Sequence, residues 1–492
     1  MSPPPSTTTS RTVDPLPVRT LAVLFLCRLA EPIAFNSIMP YLTFMVRDVL
    51  SREYLSRHAV DSSVQKPNFD DVPFYVGLIT SSFFVAQFLS GLLWSRLVAI
   101  LPRKPLVLFG SFSMATLMVL FGLSRTLAAM WWSRFFAGFL NGNQVVVNTM
   151  FGELTTPNNR ARAFALLPTV FYVGQIVGPY IGGSLADPVR RWESLGKWKV
   201  LREFPYLFPN VVVGAICLLS FVVGLFFLHS TTAAHERTRT SSTTPSTTSS
   251  STITPTPTDA ESAPTSANSE ATPLLPPTNS SSRSSIFTRP IISSLTTYTL
   301  TNLLLVAYNV ALPLFLSLPP LSLSASTIGL ILSFTGLASM LAQSLIYEPV
   351  HRALGTRWTL RAGIVLFVGT YVGTAYMPEQ GSRGFWWVLG VVLVLKTLGQ
   401  CLALTSSLIH ITESVSHTAI FTTGDSKSTS VLLGKVNGWG QVVASAARAA
   451  GPWGIGTLMS ASVARHGGDG TGLLVWALGA GFGVVGLVVS FW

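Results

Sequence analysis

Charge is scarce in this chain. Of its 492 residues only 11% are Asp, Glu, Lys or Arg, against 49% apolar, and the mean hydropathy is +0.50. A water-soluble domain carries charge on about a quarter of its residues, so a soluble globule is excluded. Cysteine is almost missing. The three present, Cys27, Cys217 and Cys401, all lie in apolar runs, which excludes a disulfide framework and a cysteine-rich metal site. Acidic residues number 20 against 32 basic ones, a formal charge of +12. In a soluble protein that excess would suggest nucleic acid; here the basic residues have to be sorted by side of a membrane first, and no nucleic acid partner is expected. There is no phosphate loop, no nucleophile elbow and no paired catalytic carboxylates. The chain is therefore not expected to be an enzyme or to carry a cofactor.

What is present is a series of apolar runs of about 20 residues, each enough to cross a bilayer. They fall at 19–46, 74–96, 105–125, 127–152, 163–187, 205–228, 290–316, 325–347, 358–377, 384–413, 429–460 and 470–491. Twelve runs predict an all-α, multi-pass membrane protein with both termini on one side. The first run follows a polar tail (1–18) and lacks a small-residue cleavage site, so it reads as a retained span. With the amino terminus cytoplasmic, 16 Lys/Arg lie inside, 12 outside and 4 (Arg28, Arg134, Lys396, Arg448) within spans. The inside excess is small because the basic loop 188–204 faces out; its Trp192 and Trp198 suit an interfacial anchor.

Between the sixth and seventh spans, residues 229–288 turn to Ser, Thr and Pro, a composition that cannot bury enough apolar surface to offset chain entropy. It predicts a disordered cytoplasmic linker between an N-terminal six-helix bundle (19–228) and a C-terminal one (289–492). Within the linker, Glu270-Ala-Thr-Pro-Leu274-Leu275 fits an acidic dileucine sorting signal. The two bundles echo each other. Gly77-Leu-Ile-Thr-Ser matches Gly329-Leu-Ile-Leu-Ser, Leu101–Gly110 matches Leu354–Gly363, and Gly178-Pro179 matches Gly451-Pro452. Duplicated halves facing each other across a midplane site are the expected architecture.

Polar residues inside the spans are the candidate site. Arg28 and Glu31 share a face of the first span, near Asn36. Glu31 either carries a proton or forms a structural ion pair with Arg28. Arg134, Asn141 and Asn148 recur every seven residues on the fourth span, which places them on one stripe of a continuous helix; the alternatives are a hydrated wall and hydrogen bonding in a dry helix interface. Similar stripes are Tyr298, Asn302 and Asn309 on the seventh span, Lys396 and Gln400 on the tenth, and Asn437, Gln441 and Arg448 on the eleventh. Gln175 joins them from the fifth. The intramembrane cations outnumber the carboxylate, so the residues leave an anionic and a cationic substrate both open. His410, Glu413 and His417 share a face but read as ordinary solvated residues, and no metal site is expected.

The fifth span carries Gly174-xxx-Gly178-Pro179-xx-Gly182-Gly183. Glycines at this spacing strip a helix face to backbone, and Pro179 removes a donor and bends the helix. With RFFAGFLNGN, Glu153, the following Arg160 and Arg162, RLAEPIAFNSIMPYL and LGKVNGWGQVVASAARAAGP, this segment resembles the drug:proton antiporter branch of the major facilitator superfamily, and within it fungal proteins similar to the zinc-induced-facilitator-like group. The resemblance implies secondary transport by alternating access, with protons as coupling ion through Glu31, Arg28 and Arg134, and gating through the fifth-span glycines. It implies export of a small organic molecule such as a secondary metabolite or toxic compound; a monomer in the lipid bilayer is expected, with the plasma membrane ranked above the vacuolar one. Uptake of a nutrient or metal chelate, or a degenerate transporter acting as sensor or scaffold, are the alternatives. One departure bears on gating. Where the group reads Ser-Asp-Arg-x-Gly-Arg-Lys-Pro between the second and third spans, this chain has Val98-Ala-Ile-Leu-Pro-Arg103-Lys104-Pro105, and the latch keeps only Arg103 and Lys104 to meet Glu153.

Overall fold

The computed structural model describes residues 18–57, 69–155, 159, 167–228, 288–422, 426–465 and 473–491. The expected linker, apart from Thr288, and the sorting motif in it lie outside these residues, as do Arg160 and Arg162. Among the described residues every regular element is helical. The helices are α1 (Val18–Ile38), α2 (Leu42–Arg57), α3 (Val72–Ile100), α4 (Arg103–Gly122), α5 (Leu127–Phe139), α6 (Asn143–Leu154), α7 (Leu167–Leu185), the short α8 (Pro188–Arg191) and α9 (Lys199–Glu203), and α10 (Leu207–Phe227). From residue 289 onward come α11 (Arg289–Ser317), α12 (Ala325–Leu341), α13 (Tyr347–Ala375), α14 (Phe385–Thr422), α15 (Ser426–Arg465) and α16 (Leu473–Val489).

Among the described residues seven segments are long and apolar enough to cross a membrane, and the helices are less regular than the hydropathy pattern predicts. The first expected span, 19–46, is two helices. Proline at 40 has no amide to donate and biases the residue before it away from helix, and the chain turns through Met39–Tyr41 before α2. The fourth expected span, 127–152, also breaks, at Leu140–Gly142, into α5 and α6. Asn141 and Gly142 are poor helix formers. The break leaves backbone groups without helical partners, and the structure supplies them: the Trp94 indole donates to the Phe139 carbonyl at 2.9 Å, and the Asn141 side chain accepts from the Asn143 amide at 3.4 Å. Further on, α12 passes through a π-helical turn, Ala342–Ile346, into α13, whose kink at Gly355 has φ 72.

The two sets of helices meet through glycine on the side opposite the termini. A methyl group on Gly77 of α3 would strike the Pro452 carbonyl and the Gly456 Cα of α15, and one on Gly456 would strike the Pro73 carbonyl and the Gly77 Cα. Helices α7 and α12 repeat the arrangement, Gly183 meeting the Ala325 carbonyl and Gly329 meeting that of Pro179. Exchanging the halves maps one crossing onto the other, and the residues involved are those of the sequence echoes Gly77/Gly329 and Pro179/Pro452. Each crossing has an additional hydrogen bond, Ser460 Oγ to the Asp70 carbonyl at 2.6 Å and Arg191 to Ser326 Oγ at 3.2 Å. The other face of α7 serves α1: Gly174 lies against Pro32, Gly178 against Ile33 and Asn36, and Gly182 against the Ser37 carbonyl.

Lipid offers no hydrophobic drive to helix association, so these close approaches hold by van der Waals packing. Gly183→Val should therefore push α7 from α12 and unseal this side. The labelling rate of a cysteine placed at Asn36, probed from the side opposite the termini, should rise several-fold. Gly91→Val, where open space surrounds the glycine, should leave that rate unchanged.

Candidate functional site

Below the two crossings a cavity of about 470 Å³ lies between the halves. It reaches toward the side bearing the termini, where Leu167, Pro168 and Leu408 line it. The first half brings Arg28, Glu31, Asn36, Asn148 and Gln175 to its wall, and the second half brings Tyr298, Asn302, Asn309, Lys396, Gln441 and Arg448. Eleven of the residues singled out in the sequence thus converge on one space.

Glu31 is the acidic side chain among the described residues lining this cavity. Its two oxygens are both engaged. Arg28 Nη1 approaches one at 2.5 Å, and the Gln87 amide donates to the other at 3.2 Å. The pair is mostly buried, the side chains 15% and 11% exposed, yet it faces the cavity. Asn36 and Asn302 spend their amide hydrogens on their own helices, donating to Pro32 and Tyr298 carbonyls at 2.8 and 2.9 Å. Arg448 donates to Ser445 Oγ at 3.0 Å, while its Nε has no partner among the described residues.

Three expected members are elsewhere, and the fourth-span pattern explains two of them. The seven-residue stripe of the fourth span requires a continuous helix, and the break at Leu140–Gly142 separates its members. Asn148, on α6, lines the cavity. Asn141 is buried at the break. Arg134, on α5, stands one layer behind the wall, 2% exposed, its guanidinium carbon 4.8 Å from the Phe83 ring centre, 5.6 Å from Phe35 and 5.9 Å from Phe121. Its two terminal nitrogens make no hydrogen bond among the described residues. Phe35 and Phe83 do line the cavity, so they stand between Arg134 and the space it was expected to face. Gln400 is buried within the second half and does not line the cavity either. The side chain of Asn437 lies outside the described residues.

Two lining residues escape sequence reasoning, Gln87 and Gln144. Gln87 is a lone amide in an apolar span, while Gln144 lies four residues before Asn148 on α6, a helical spacing that could have marked it. A third polar group, near the termini side, also depends on the fold. Gln343 Oε1, in the π-helical turn, accepts from Thr405 at 3.2 Å, Cys401 at 3.3 Å and, across the two halves, Tyr172 at 3.4 Å. Irregular turns of this kind concentrate at functional positions.

At the expected latch, Arg103 donates through Nε and Nη2 to one Glu153 oxygen, at 3.2 and 2.8 Å. Lys104 follows on the first turn of α4, half-buried. In the second half the corresponding place holds a neutral donor, Thr356 Oγ1 to Glu413 at 2.6 Å. Glu413 is thus engaged, and the side chain of His417, with which it was expected to share a face, lies outside the described residues. The three cysteines are free and buried.

Glycine-sealed helical halves around a polar midplane cavity define a multi-pass membrane transporter fold. A profile of the Major Facilitator Superfamily matches residues 24–452, and the chain belongs to that family. Among characterised relatives it is 28% identical to the major facilitator superfamily multidrug transporter mfsB of Aspergillus fumigatus, over 97% of this chain and 83% of that one. It is 24% identical to the protein ZINC INDUCED FACILITATOR 1 of Arabidopsis thaliana, over 91% and 85%. A solved bacterial homologue of the human lysosomal transporter Spinster, in an inward-facing, unoccupied conformation, superposes with a TM-score of 0.61 at 12% identity, covering 97% of each chain.

The bond from Trp94 to the broken helix is testable. Trp94→Phe keeps an aromatic ring against Gly142 but leaves the Phe139 carbonyl without its donor, a loss of about 1–3 kcal/mol. The melting temperature of the purified protein in detergent should fall by several degrees, while Trp132→Phe, on the exposed face of α5, should not change it.

Proposed function

We propose that this protein exports a small organic molecule by alternating access, exchanging it for inward protons at Glu31. The observation that carries this reading is the position of one carboxylate, paired with Arg28, in a cavity sealed on one side by reciprocal helix crossings. Export against a gradient needs a site whose affinity differs between protonation states, because a ligand bound equally in both shifts nothing. Among the described residues lining the cavity, Glu31 is the carboxylate that can do this. The name of the fungal relative, a multidrug transporter, supports a small organic molecule as cargo.

On this reading the termini lie in the cytoplasm and the structure is the inward-facing member of the cycle. The crossings α3·α15 and α7·α12 are the external gate, Arg103–Glu153 and the Gln343 cluster belong to the cytoplasmic one, and Arg134 tunes the first half from behind its aromatic screen. The protein acts as a monomer in the plasma membrane, with lipid, substrate and protons as its partners.

One pH unit across the membrane is worth about 1.4 kcal/mol per proton, or about a tenfold concentration ratio of exported compound. Proteoliposomes preloaded with a fluorescent organic compound should show that gain for the wild type when a proton gradient is imposed. Glu31→Gln keeps the volume but cannot change charge, so it should lose the gain while retaining energy-independent exchange. Gradient-stimulated efflux at the unmutated rate in Glu31→Gln would rule out Glu31 as the coupling residue and leave Arg28–Glu31 as a structural ion pair.

A further inference from the structure

The cavity holds more positive than negative charge, and the surplus is on one side. Arg28 and Glu31 neutralise each other on α1. Facing them from the second half are two further cations, Lys396 on α14 and Arg448 on α15, with no carboxylate of that half lining the cavity among the described residues. Lys396 is 4% exposed and makes no hydrogen bond or ion pair among the described residues. Arg448 has Ser445 as its hydrogen-bond partner. It lies close enough to interact electrostatically with both Glu31 and Arg28 across the gap. Two uncompensated cations at membrane depth are expensive unless something of opposite charge joins them. The neighbouring Tyr298, Asn302 and Gln441 can donate or accept hydrogen bonds but bring no charge.

We infer that the exported molecule is amphoteric, with an anionic group such as a carboxylate held by Lys396 and Arg448 and a cationic or proton-donating group directed to Glu31. The inference rests on the proton-exchange reading above for its second half. An anion alone could not be exchanged for a proton here. Protonating Glu31 would release Arg28, add positive charge to the cavity and hold an anion more firmly, so that the two would travel together. Exchange requires a part of the substrate that gives up its place to the proton, and Glu31 offers that competition only to a cation or a strong donor. A purely cationic molecule meets the opposite difficulty, since it enters a cavity already carrying two surplus positive charges. The aromatic wall formed by Phe35, Phe83, Phe84 and Phe171 suits a flat apolar body between the two charged ends.

Three dyes on one scaffold separate these cases. Rhodamine 110 carries both a cationic ring system and a carboxylate, rhodamine 123 is its methyl ester and only cationic, and fluorescein lacks the amines and is anionic. Binding to the purified full-length protein is measured by fluorescence anisotropy, and movement by gradient-driven efflux from proteoliposomes. Charge-assisted hydrogen bonds of about 1.5–3 kcal/mol correspond to at least a tenfold preference. Rhodamine 110 should bind about tenfold more tightly than either relative, and Lys396→Gln with Arg448→Gln should bring it down to the level of rhodamine 123. Binding of rhodamine 123 should be no weaker in that variant, which lacks the two charges that repel it, and this shows that the variant is folded. If the double variant loses all three dyes, the two single variants decide, each being expected to narrow the preference by about threefold. A wild type that binds rhodamine 123 or fluorescein as well as rhodamine 110, or a preference the substitutions do not move, overturns the charge assignment. A preference that depends on Lys396 and Arg448 without gradient-driven movement leaves that assignment standing and removes the export reading.

Discussion

The structure depends on two places where helix backbones touch. In water, apolar side chains drive helices together; in lipid they have no reason to leave the solvent, and association falls to packing and hydrogen bonds. The carbonyl-to-glycine contacts of α3 with α15 and of α7 with α12 meet that requirement, because a backbone without Cβ lets the facing helix approach over several residues. Both crossings lie on the same side and are exchanged by swapping the halves. The cavity is what remains where the approach is not made. Because α7 also packs its Gly174, Gly178 and Gly182 face against α1, the helix that seals the far side is coupled mechanically to the helix carrying Arg28 and Glu31.

Charge is distributed by a related economy. Arg134 is buried without a hydrogen-bond partner among the described residues, and three phenylalanine faces surround it instead. Cation–π attraction is modest in water and grows when desolvated, which makes an aromatic enclosure one of few ways to keep a guanidinium at membrane depth away from a carboxylate. Arg28 is neutralised by Glu31, whereas Lys396 and Arg448 face the cavity. Of these four cations, one is screened, one is paired and two line the cavity.

The breaks in the first and fourth spans show how local chemistry is completed at a distance. Asn141 and Gly142 weaken the helix, but a break inside the bilayer leaves carbonyls that water cannot reach. Trp94, 45 residues earlier, supplies the missing donor at Phe139, and Gly142 in turn makes room for its indole. The sequence around 141 therefore explains why the helix can break there, and only the neighbour explains why it can afford to.

Much of this was legible in the chain alone. Hydropathy is a property of a segment, so the helical class could be read without knowing any contact. The glycine–proline segment of the fifth span and the echoes Gly77/Gly329 and Pro179/Pro452 marked the residues of the crossings, because close backbone approach demands small residues wherever it occurs. Eleven of the polar residues singled out in spans line one cavity, since at membrane depth a polar side chain has few other places to go. What the chain could not determine was rotation. Whether a residue faces the cavity, a neighbour or lipid depends on the angle at which each helix packs, and that angle is set by side chains from other spans. Hence Arg134 and Gln400 turned away from the cavity, Gln87 and Gln144 turned toward it, and the stripe through Asn141 failed once Trp94 stabilised a break. The imbalance of charge across the cavity is likewise a tertiary property: Lys396 and Arg448 follow Arg28 and Glu31 by hundreds of residues in the chain, and only packing brings that neutral pair opposite two further cations.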